Sequence, residues 1–97
     1  MMQCRRSKTK NPLMKFIDLK LYILADRIHH LNKRNRIRFE RVLRRLKRRR
    51  DHVWSDLIAA RDLPIEHATP MIDRIALEWE AIDRSIGRTL RMLRPAQ

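Results

Sequence analysis

The 97-residue chain is expected to be all-α, on three observations. Apolar residues recur at alternating spacings of three and four along most of its length. No stretch alternates apolar and polar residues between Gly, Asn-Gly or Asp-Gly turns, as a half-buried strand would. A composition of 43 % hydrophobic and 36 % charged residues, with one Gly and four Pro, suits helices better than a turn-rich β fold. A chain of this length makes a single domain, 1–97, that buries roughly 60 to 65 % of its unfolded surface.

Residues 1–11 read as a basic, uncleaved arm. Arg5, Arg6, Lys8 and Lys10 carry it without an acid among them, and they are candidate phosphate contacts. Cys4 is the only cysteine, which excludes an intrachain disulfide or a C-x-x-C site and suits an intracellular, reducing compartment such as cytoplasm or an organelle matrix. The longest apolar run, Leu21 to Ala25, is far short of the roughly 20 residues of a membrane span.

Asn11 and Pro12 form a helix start signal. Behind them Met14, Ile17, Leu21, Leu24, Ile28 and Leu31 make a heptad-like seam. A second seam follows through Phe39, Leu43, Leu46, Arg50, Val53, Leu57 and Ala60, interrupted only by Arg50. Neither Gly nor Pro separates the seams, and at about 100° per residue both fall on one side of a continuous helix. The expectation is therefore one long basic helix over about residues 12–61, on the order of 70 Å long, with a bend or a break near 32–36 as the alternative. In the continuous form Asn35 is a polar insertion of the kind that fixes register between helices.

Residues 62–69 read as the connection, because Pro64 biases Leu63 away from helix and Thr69-Pro70 supplies a fresh cap and first turn. The final helix is expected over about 70–94, with Ile72, Ile75, Trp79, Ile82, Ile86, Thr89 and Leu93 as its seam. Folded back antiparallel, it makes a helical hairpin with the Phe39 to Ala60 half of the long helix, burying Trp79 and Trp54. That arrangement leaves the Met14 to Leu31 seam without an intrachain partner, so these six residues are expected to be a protein interface, for self-association or for neighbouring subunits. A break near Asn35 instead lets three helices close into a self-sufficient bundle.

Charge is the second organising feature. Residues 27–50 hold twelve Arg or Lys against one acid, Glu40, and so carry +11 of a net +13. Such a concentration repels itself unless a polyanion supplies counter-charge. Arg outnumbers Lys by 18 to 6, and Arg pairs with phosphate bidentately where Lys cannot. On a helix Arg34, Arg38, Arg41, Arg45 and Arg48 form a stripe opposite the apolar seam. Arg36, Arg44, Lys47 and Arg49 accompany it as further candidate contacts. In composition the segment is similar to arginine-rich RNA-binding helices.

The expected function is that of a nucleic-acid-binding structural protein, a small RNA-binding subunit of a ribonucleoprotein such as a ribosome. RNA is favoured over DNA because small, Arg-rich helical proteins with basic arms commonly fill large ribonucleoproteins. The alternatives are a small dimeric DNA-binding regulator, a helical module docking on an acidic protein and a peripheral membrane binder. Phe16, Tyr22, Phe39, Trp54 and Trp79 are assigned mainly to the core, which speaks against stacking on single-stranded bases.

No catalytic residue, cofactor or metal site is expected. Asp26 and His30, and His52 and Asp56, stand four apart and read as local ion pairs, not as ligand sets. The serines lack a nucleophile-elbow context, and no P-loop or dinucleotide fingerprint occurs.

Overall fold

The computed structural model describes residues 12–93, which form three helices: α1 (Pro12–His29), α2 (Lys33–Arg61) and α3 (Ile65–Met92). The chain is thus all-helical over these residues, as its periodicity predicts. The two-helix hairpin is corrected to a three-helix bundle. The expected Asn11 cap and the arm residues Arg5, Arg6, Lys8 and Lys10 lie outside the described residues.

The long helix breaks at His30 to Asn32. Its last turn tightens, with the His30 and Leu31 amides donating to the Arg27 and Ile28 carbonyls at 3.2 and 3.0 Å. The His30 imidazole, through Nδ1, donates to the Asp26 carbonyl at 2.8 Å. The expected Asp26–His30 ion pair is therefore a contact to backbone instead. Asn32 then opens α2 in an extended conformation (φ −64°, ψ 163°), its Oδ1 accepting from the Asn35 amide at 3.0 Å. Asparagine satisfies an orphan helix-terminal donor in this way, and such a cap is worth about 1 kcal/mol. Asn35 consequently belongs to the first turn of α2 and is no register-fixing insertion inside a continuous helix.

The second connection is also shorter than the spacing of Pro64 and Pro70 predicts. α3 begins at Ile65 and not at residue 70, with the Pro64 carbonyl (φ −56°, ψ 152°) accepting from the His67 and Ala68 amides at 2.9 Å each. Pro70 lies inside the helix. It withholds one bond from the carbonyl of Glu66, an exposed residue where water can replace the lost donor. Thr69 continues the turn, its hydroxyl donating to the Ile65 carbonyl at 2.9 Å.

The short connections make consecutive helices antiparallel. All three seams converge on one core. Ile17, Leu24, Ile28, Val53, Ile82 and Ile86 are fully enclosed, with Phe39, Leu43, Leu46, Ile75 and Trp79 around them. Met14, Ile17, Leu21, Leu24 and Ile28 are therefore core residues, with Leu31 half-buried against them, and the expected partnerless interface seam is filled by the chain's own α2 and α3. A third helix supplies the apolar surface that a hairpin would have had to borrow from another molecule. Trp54 is only half-buried and Ile72 is exposed, both departures from the expected seam. The one buried polar side chain among the described residues, Thr89, donates to the Ser85 carbonyl at 2.8 Å.

Candidate nucleic-acid interface

Because the seam of α2 points into the bundle, the opposite face of the same helix must meet solvent. Arg34, Arg38, Arg41, Arg45 and Arg48 all lie exposed on that face. At 1.5 Å per residue the stripe runs about 21 Å along the bundle. Arg38 stands with its guanidinium 5.6 Å from the centre of the Phe39 ring, within cation–π range.

The bundle's carboxylates sort the cations of α2 into two groups. Arg49, half-buried, donates to Glu78 of α3 through Nε at 3.2 Å and Nη2 at 2.8 Å. Arg50 donates to Asp18 of α1 through Nε at 2.7 Å and Nη2 at 2.8 Å, and to Asp51 through Nη1 at 3.0 Å. A third pair, Lys20 with Asp83, joins α1 to α3. Each pair of helices is thus tied by one ion pair. Among the described residues no carboxylate lies within salt-bridge distance of Arg34, Arg36, Arg38, Arg41, Arg44, Arg45, Lys47 or Arg48. The stripe keeps its charge outward, while the paired cations hold the scaffold behind it.

The remaining candidates fall on the flanks. Arg36 is half-buried and lies about 160° round the helix from Arg38, so it does not belong to the stripe. Arg44 and Lys47 are exposed on the flank nearer α1, and Lys47 lines the groove between α1 and α2. Arg45, Arg48, Arg49, His52 and Glu78 surround a shallow depression of about 310 Å³ on the α3 side. His52 continues the stripe by one more four-residue step, a position legible from spacing alone. Arg49 is brought beside the stripe with its guanidinium already engaged by Glu78.

The aromatic residues divide differently from the expectation. Phe39 and Trp79 are buried, but Phe16 and Tyr22 are 61 % and 72 % exposed. Both are off the Met14, Ile17, Leu21 register, which is the signal that could have placed them outside. Arg50, which reads as a mere interruption of a seam, is the most heavily bonded cation of the bundle. Its hydrogen bond to Asp18 raises its pKa above the ordinary arginine value against the opposing cost of burial, with Asp51 adding to the rise.

Among the described residues no three His, Cys, Asp or Glu side chains gather where a metal ion could be held, and no helix is long and apolar enough to cross a membrane. No protein-family model matches the chain, and neither the curated proteins nor the solved structures contain a significant match to it.

Proposed function

We propose that the chain is a nucleic-acid-binding structural protein, a small RNA-binding subunit of a ribonucleoprotein such as a ribosome, which lays the outer face of α2 along the phosphate backbone. The observation that carries this reading is the sorting of cations just described. A face whose role was only solubility would mix signs, whereas here every α2 arginine with a carboxylate partner lies off the stripe and the five on it have none among the described residues. Five unpaired guanidiniums over about 21 Å can each take a phosphate, releasing the counterions condensed there.

RNA is preferred to DNA because small, Arg-rich helical proteins with basic arms commonly fill large ribonucleoproteins. The outer face of α2 suits a wide, shallow surface such as the minor groove of A-form RNA, with phosphates and 2′-hydroxyls at its edges. The DNA-binding dimer loses its expected dimerisation seam to the core.

Purification from the source without nuclease, followed by identification of the polymer that travels with the protein, tests the reading. Co-purifying RNA supports it. A protein partner without nucleic acid, or DNA alone, overturns it.

A further inference from the structure

The groove between α1 and α2 holds a set of groups that the stripe does not use. It measures about 360 Å³ and is lined on one side by Asp18, Leu21, Tyr22 and Ala25 of α1, and on the other by Lys47, Arg50 and Asp51 of α2. Two of these groups are flat. One is the Tyr22 ring, which is off the core register and therefore exposed. The other is the Arg50 guanidinium, whose plane is fixed because Nε, Nη1 and Nη2 each donate to a carboxylate oxygen of Asp18 or Asp51. Aromatic rings and guanidinium planes are the two surfaces on which proteins stack unpaired bases.

The polar rim suits the same occupant. Lys47 has no carboxylate partner among the described residues and sits on the flank of the stripe with Arg44. Asp51 gives Oδ1 to Arg50, and among the described residues no side chain donates to its Oδ2. An exocyclic amino group of adenine, cytosine or guanine can donate to such a carboxylate. An apolar peptide would leave Lys47 unanswered, whereas a nucleotide meets it with a phosphate and meets Asp51 with an amino group.

We propose that the α1/α2 groove is a nucleobase site: it takes one unpaired base from the RNA whose phosphates lie on the α2 stripe. The base stacks on Tyr22 and Arg50 and donates its amino group to Asp51, while its phosphate meets Lys47. The inference rests on the nucleic-acid reading and specifies its ligand as structured RNA carrying a bulged or looped-out nucleotide. It also gives the exposed Tyr22 a role that a purely backbone-reading surface does not.

The test compares two RNA hairpins of equal length, one fully paired and one with a single bulged adenosine, by fluorescence anisotropy at one salt concentration. The wild-type protein is expected to prefer the bulged hairpin by about tenfold, the scale of one base stacked on an aromatic ring. Tyr22→Ala, a change at an exposed position whose fold is checked by circular dichroism, removes the preference and leaves affinity for the paired hairpin and its salt slope unchanged. Tyr22→Phe keeps it, and Lys47→Ala weakens the bulged hairpin more than the paired one. Equal wild-type affinity for the two hairpins, or a preference that survives Tyr22→Ala, overturns the groove assignment while paired-hairpin binding leaves the stripe standing. Failure to bind either hairpin overturns both readings.

Discussion

Arg50 of α2 reaches Asp18 of α1 with two parallel hydrogen bonds, Nε to Oδ1 at 2.7 Å and Nη2 to Oδ2 at 2.8 Å. This fork-to-fork geometry is the strongest form an arginine–carboxylate pair takes, and it fills the place in the α2 seam where an aliphatic residue is expected. Solvent screening keeps its worth small, since Asp18 remains nearly half exposed. Asp18→Ala is expected to lower stability by about 1 kcal/mol, read as a fall of roughly 4–8 °C in Tm. The raised Arg50 pKa carries a definite sign: its contribution is complete below the ordinary arginine range and is lost only as pH rises through the folded-state value. The difference between wild type and Asp18→Ala that arises from Arg50 is therefore constant through neutral pH.

Leu24 separates the core account of α1 from an interface account. It is fully enclosed between the helices. Leu24→Ala is expected to cost about 2–5 kcal/mol in denaturant unfolding, with no dependence on protein concentration. A concentration-dependent loss would return the α1 seam to a role between molecules.

Gly87 is the residue most open to improvement. It lies inside α3, and a Cβ added there meets only the Arg91 side chain, at 3.7 Å, an ordinary van der Waals contact. Gly87→Ala should raise stability by about 0.5–1 kcal/mol, visible as a Tm increase of a few degrees. An unchanged or lower Tm contradicts an unstrained helical Gly87.

Helical class, the three seams and the outward stripe were all legible in the sequence, because each depends on a 3.6-residue period that local composition encodes. The break at Asn32 was legible only in part. The two seams stay in phase across it, and what decides is a third helix with enough apolar surface to close a bundle, a property of the whole chain. Thr69-Pro70 points to a helix start at residue 70, a sound local signal outweighed by the turn at Pro64 and by burial of Ala68. Within the candidate site, spacing puts Arg34, Arg38, Arg41, Arg45 and Arg48 on one face, and all five are exposed. The engagement of Arg49 by Glu78 and of Arg50 by Asp18 is not legible from spacing, since partners 29 and 32 residues apart leave no mark on local periodicity.

The central claim is that the α2 stripe binds phosphate, and the salt dependence of RNA affinity tests it most directly. Each phosphate contact contributes about −0.7 to −0.9 to the slope of log affinity against log salt. Replacing Arg38, Arg41 and Arg45 together by Ala should weaken binding and flatten that slope by about 2–3, one step per lost contact, with helicity by circular dichroism unchanged. A triple variant that binds RNA with wild-type affinity and wild-type slope would contradict the account.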